Sequence, residues 1–139
     1  MTQVAALLRK PTVREAEVTK VKRMRKVVIN RCFGGFGLSH EAILRYAQIK
    51  RMNLIVEATE SSIVPYNYFV DKVSVDTFFW DRDIARDDPV LVQVVEELGK
   101  DACSRFADLR IVEIPYEVKW HIAEYDGLEH VAEDHRTWS

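Results

Sequence analysis

The sequence predicts an α/β fold: a single domain with a mixed β-sheet, a βαβ-like opening and two main flanking helices. Two observations carry this. The β-branched runs "KVVINRCF" (26–33) and "NLIVEA" (53–58) bracket a stretch of helical periodicity. A second helical stretch, "DPVLVQVVEELG", brings its own start and stop signals. A third observation sets the scale. The chain has 139 residues, 47% of them hydrophobic, enough to bury one core without staples.

Each element has a local reason. Glycines after 26–33 end the first strand, and Ser39 then caps a helix over 39–51. Ala42, Ile43, Tyr46, Ala47 and Ile49 form its apolar stripe. With 53–58 as the next strand, the order favours a right-handed crossover onto a parallel pair. In 59–80 the aromatic and β-branched segments "SSIVPYNYFV" and "KVSVDTFFW" read as a hairpin or strand insertion turned at "DK", with Pro65 restricting the first to an edge. Asp88 caps the second helix, Pro89 occupies its first turn, and Gly99 stops it. Val90, Leu91, Val94, Val95 and Leu98 face one side. "DACSRFADL" reads as a further short helix, so helical structure is expected over 89–106. "RIVEIP" (110–115) and "VKWHIAEY" (118–125) are strands, and the sheet is expected from 26–33, 53–58, 66–80, 109–115 and 118–125. The tail after Asp126-Gly127 is either the return arm of a hairpin or a helical turn and coil; periodicity leaves both open.

Charge divides the chain. Residues 1–26 carry eight Lys or Arg against Glu15 and Glu17, a net of +6, whereas the remainder is −8. Residues 1–24 read as a basic N-terminal extension and 25–139 as the ligand-binding domain, with Met24 a candidate start of the compact part. A solvated extension is favoured over a nucleic-acid arm. No apolar window is long enough for a membrane span, and the first ten residues lack the pattern of a secretory signal. Cys32 and Cys103 stand 71 residues apart without metal spacing, and read as reduced thiols of a cytoplasmic protein.

The chemistry-bearing candidates fall in three places. A strand, Gly34-Gly35-Phe36-Gly37 and a helix start together aim free amides at one spot, which suits a phosphate or carboxylate. The spacing is neither GxGxxG nor GxxxxGK[ST], and no lysine follows, so a purely structural turn is an equal alternative. Arg31 and the rings of Phe33 and Phe36 strengthen the ligand reading, although core packing suits one of the two rings. In "FFWDRDIARDDP", Trp80 offers a stacking surface, and Arg82 and Arg86 suit a phosphorylated ligand. The arginines between the aspartates argue against a hard-cation site. The third place is the C-terminus, where Arg136 and Trp138 could pack on the core, seal a subunit interface or complete a pocket. Hydrolase, zincin and deaminase motifs are absent, no cofactor motif is present, and no spacing supports pairing Cys32 with a histidine.

The segments "VVINRCFGGFGLSHEAILRYA", "RDDPVLVQVVEELG", "RIVEIP" and "EYDGLEHVAEDHRTW" together resemble a family of small proteins encoded mostly by bacteriophages and prophages. The resemblance covers roughly 25–138, with INRCFGGFGLS and HRTW its most specific blocks. Its nearest functional association is with anti-Thoeris sponge proteins, which bind the cyclic ADP-ribose signal of TIR-domain enzymes; some hold cyclic oligonucleotides. The resemblance implies a non-enzymatic homo-oligomer in the host cell cytoplasm, with pockets between subunits and no cofactor. It transfers no binding residue, so the site rests on the residues themselves. Arg31, the Gly34–Gly37 amides, Arg82 and Arg86 are expected to take phosphates, and Phe33, Phe36 or Trp80 the base, with Arg136 and Trp138 completing the pocket. Two alternatives stand beside this: a small nucleotide-modifying phage enzyme, and an inhibitor that binds a host protein or nucleic acid.

Overall fold

The computed structural model describes residues 23–135 and Trp138. The expected extension and Arg136 lie outside the described residues, apart from Arg23 and Met24. The chain runs β1 (Met24–Asn30), α1 (His40–Lys50), β2 (Leu54–Ala58), β3 (Tyr66–Val70), α2 (Pro89–Leu98), β4 (Leu109–Pro115), β5 (Trp120–Tyr125) and β6 (Leu128–Glu133). Helices and strands mix in one α/β domain with two main helices.

The strand pairing corrects one expectation. Three two-stranded antiparallel ladders form, β1–β4, β2–β3 and β5–β6, and no parallel pair occurs among the described residues. β1 takes β4 as its partner, with Val28 opposite Ile111. The helix after β1 therefore does not make a parallel crossover, because β2 turns back on itself through 59–65 to pair with β3. That turn is closed by the Thr59 amide donating to the Pro65 carbonyl. "KVSVDTFFW" is likewise not the second arm of a hairpin. It holds a 3-10 turn at Val75–Thr77 and meets β3 through the isolated Phe69–Phe78 bridge and a Lys72–Val70 turn hydrogen bond rather than a ladder. The expected helix over 89–106 ends at Leu98, where Gly99 adopts a φ of 57°, and only a 3-10 turn over Gly99–Ala102 follows. The open tail resolves as a hairpin, with Asp126 and Gly127 at positive φ in its turn.

The apolar stripes read from the sequence meet in the core. Ala42, Ile43, Tyr46 and Ala47 of α1 and Leu91, Val94 and Val95 of α2 are buried, together with Val28 of β1 and Leu109 of β4. Val27 and Val28 are adjacent in β1 and both fully buried, so β1 is covered on both faces. α2 and β6 both pack against it. β3 is fastened to α1 by His40, whose ring stacks on Tyr66 at 4.1 Å and whose Nδ1 shares a 2.7 Å hydrogen bond with the Tyr68 hydroxyl. Burial, with Asp81 and Tyr66 nearby, pushes the Tyr68 phenol up to about 12, so it stays protonated at neutral pH.

Asp88 ties the two helices together. Its carboxylate accepts from the Val90 amide at 2.8 Å as the N-cap of α2 and from the Tyr46 hydroxyl at 2.7 Å, and pairs with Lys50 at 3.2 Å. Burial opposes its ionisation, but the hydrogen bonds from Tyr46, Val90 and Lys50 outweigh that and hold its pKa below the usual carboxylate value. Its stabilisation is therefore present at neutral pH, above the ordinary unfolded value of about 4, and is lost as pH falls through the lower folded value. Asp88→Ala is expected to cost about 1–2 kcal/mol at pH 7. In urea unfolding across an acid pH series, the difference between the variant and the natural chain should shrink toward pH 2.

Candidate functional site

The loop between β1 and α1 is built against two other segments. A Cβ on Gly34 would lie 1.9 Å from the Phe106 carbonyl oxygen, and one on Gly37 would lie 2.5 Å from the Ser104 Oγ. The Ser104 amide donates to the Gly37 carbonyl at 3.1 Å. On the other side the β5–β6 turn closes down. A Cβ on Gly127 would meet the Gly35 nitrogen and the Phe33 oxygen, each at 2.6 Å. The glycines thus serve close backbone packing first. Gly35 differs from the other loop glycines: its φ is +93°, and the nearest neighbour of its missing Cβ is the Arg82 guanidinium at 3.8 Å.

Beneath this loop lies a buried polar knot that the sequence did not announce. Glu129 of β6 is only 3% exposed and receives the Asn30 amide at 2.8 Å. Arg86 meets it with two nitrogens, at 2.6 and 2.9 Å. The same guanidinium lies 3.6 Å over the Phe36 ring, which is buried. Asn30 is fully buried and has every polar group of its side chain engaged. Its Nδ2 donates to the Cys32 and Gly127 carbonyls, and its Oδ1 accepts from the Asp108 amide at 2.8 Å. Arg31 Nη1 donates to the Glu129 carbonyl at 2.8 Å.

Five of the expected residues, Phe33, Gly34, Gly35, Phe36 and Arg82, line one open cleft of about 280 Å³. Gly127 and the carboxylates Glu124, Asp126 and Glu129 complete its lining. Phe33 is 63% exposed, so its ring is available. The Gly34 amide donates to no acceptor among the described residues, whereas the Leu38 amide is taken by Asp81 at 2.8 Å and the Ser39 amide by the Ala102 carbonyl. Arg82 forms no ion pair among the described residues and sits 5.6 Å from the Trp80 ring centroid.

The other expected residues stand elsewhere. Arg86 is not free for a phosphate, because the Glu129 carboxylate already holds its guanidinium bidentately. Gly37 faces Ser104 and Phe36 is buried, so the packing alternative holds for that ring. Trp80 lines a neighbouring cleft, and Arg31 lies beside Glu129. Trp138 is 89% exposed and does not pack on the core of its own chain. The thiols are free. Cys32 donates to the Phe106 carbonyl at 2.9 Å and to Asn30 Oδ1, with no histidine in contact by hydrogen bond. No cluster of metal-ligating side chains occurs among the described residues, and no helix among them is long and apolar enough to cross a membrane.

Glu129, Glu124 and Asp126 were missed as site residues. The Asp126-Gly127 turn signal was visible in the sequence, but the loop against which that turn packs lies some ninety residues away. No protein-family model, curated protein or solved structure matches this chain.

The close approaches make a graded prediction. Gly34→Ala and Gly127→Ala should each cost about 3 kcal/mol, since backbone atoms must move. Gly99→Ala, where nothing lies within 4 Å, should cost less, about 2 kcal/mol, for a backbone at φ 57° and ψ −124° that L-residues rarely adopt. Urea midpoints of the three variants test the order.

Proposed function

We propose that the chain binds and sequesters a small nucleotide-derived signal of the cyclic ADP-ribose type, without performing chemistry on it. The observation that carries this reading is the mixed lining of the cleft around Gly35. Arg82 offers one guanidinium to a phosphate, with the Gly34 amide beside it. Phe33 offers an open ring face to a base. Glu124 and Asp126 offer acceptors to ribose hydroxyls or an exocyclic amine, as carboxylates do in dinucleotide sites. A cleft lined by arginines alone would suit any polyanion; this one suits a ligand with few phosphates and many donors.

The volume supports a shared pocket. About 280 Å³ is at the lower limit for a small-molecule site, where about 300–1,000 Å³ is usual. A second subunit of a homo-oligomer would then supply the remaining wall, and the exposed Trp138 is a suitable contribution. The absence of chemistry draws support from Cys32, whose thiol is engaged by carbonyl oxygens rather than a base. The phage setting of this reading, a counter to TIR-type immunity in an infected host cell, rests on the resemblance of the sequence blocks alone.

The test uses cyclic ADP-ribose isomers. Incubation should raise the melting temperature, and heating the complex should release intact ligand. Altered ligand would make the protein an enzyme, and no shift with any isomer would refute nucleotide binding. Arg82→Ala and Phe33→Ala should each weaken binding about tenfold or more, with melting temperatures of the free variants near that of the natural chain.

A further inference from the structure

The short 3-10 turn Asp81–Asp83 separates the Gly35 cleft from a second one of about 470 Å³. Its walls are the consecutive aromatics Phe78, Phe79 and Trp80, with Tyr46 behind, and three carboxylates at Asp71, Asp76 and Asp83. Phe78 is 47% and Trp80 49% exposed, so both rings present open surface to the cleft. Phe78 is held by an edge-on contact with Phe69 at 5.7 Å, and Phe79 by packing on Tyr46, so the aromatic wall is fixed in place. No Lys or Arg among the described residues lines the cleft, although the Arg82 guanidinium stands 5.6 Å from the Trp80 ring centroid, and none of the three carboxylates forms an ion pair among the described residues.

Ring faces attract cations through their quadrupoles, and unpaired carboxylates add a directed charge. The lining therefore selects for positive charge and against the anionic ligand of the neighbouring cleft. A cavity of this volume admits a small molecule rather than a folded partner. Three carboxylates spread over three segments (the β3 exit, the Val75–Thr77 turn and the Asp81–Asp83 turn) suit several charges spaced along one chain better than a single compact ammonium. We propose that this cleft binds a linear polyamine, its methylene segments against Phe78 and Trp80 and its ammonium groups on Asp71, Asp76 and Asp83. The site is separate from the Gly35 cleft and does not depend on the reading given to it.

Titration calorimetry of the full chain with spermidine, putrescine and tetramethylammonium tests this. Spermidine should bind with a Kd on the order of 1 mM or tighter, putrescine more weakly, and tetramethylammonium weakest. The variant D76N/D83N should weaken spermidine about tenfold, and Trp80→Leu should weaken it severalfold. E113Q/E133Q, which removes the same charge from exposed strand positions, should leave it unchanged. The proposal is overturned if spermidine gives no saturable heat, if both double variants weaken it equally, or if tetramethylammonium binds as tightly as spermidine. Binding of an arginine-rich peptide without binding of spermidine would overturn it in favour of a protein partner. Circular dichroism of the exposed Asp→Asn variants verifies that they remain folded.

Discussion

The carboxylate of Glu129 is the interaction on which the rest of the structure depends. It arrives on β6, the last strand of the chain, and is received by the Asn30 amide at the end of β1 and by Arg86 from the segment before α2. A carboxylate taken this far out of water is tolerable only when paired and hydrogen-bonded, and here every condition is met. Because the carboxylate and its partners come from three distant parts of the sequence, they hold in place elements that no strand ladder joins. Among the described residues the β5–β6 hairpin pairs with no other strand, and Glu129 together with the Gly127–Asn30 hydrogen bond seats it on the end of β1 and the loop that follows.

That seating produces the cleft. Glu124 and Asp126 reach the lining because the hairpin turn presses on the backbone of Phe33 and Gly35. Arg86 is consumed by the same arrangement, and its guanidinium covers Phe36. Of the two arginines in "DRDIAR", the structure commits one to architecture and leaves the other beside Gly35. The polarity of the cleft, one cation among acceptors, is thus a consequence of how the hairpin docks. The neighbouring aromatic cleft has no Lys or Arg in its lining among the described residues, and between the two lies Asp81–Asp83, where Asp81 anchors the Leu38 amide.

The helices were legible in the sequence because their signals are local. Ser39, Asp88, Pro89 and Gly99 mark boundaries, and the 3.6-residue stripes predicted Ala42, Ile43, Tyr46, Leu91, Val94 and Val95 in the core. Although β6 was left open and 72–80, expected in the sheet, holds a 3-10 turn instead, the strands at 24–30, 54–58, 109–115 and 120–125 were legible for the same reason. Strand partners were not, because β-branched runs such as 26–33 and 53–58 look alike whether they pair in parallel or antiparallel fashion. Within the candidate site, the loop glycines and Phe33 could be named from the strand–glycine–helix order, and Arg82 from the arginines that follow the aromatics in "FFWDRDIARDDP". The roles of Arg86 and Glu129 could not be read, since an ion pair 43 residues apart leaves no periodicity or spacing. For Trp138 the sequence left core packing, a subunit interface and a pocket open, and its exposure removes only the first.

A double-mutant cycle on Arg86 and Glu129, read by urea unfolding, tests the central claim most directly. With Arg86→Met and Glu129→Met as the single changes, each should cost about 3 kcal/mol by stranding the other charge in the interior. The double variant should cost little more than either single one, giving a coupling of about 2 kcal/mol or more. Additive losses would contradict the account, since they would mean that the hairpin is seated on the loop by other contacts.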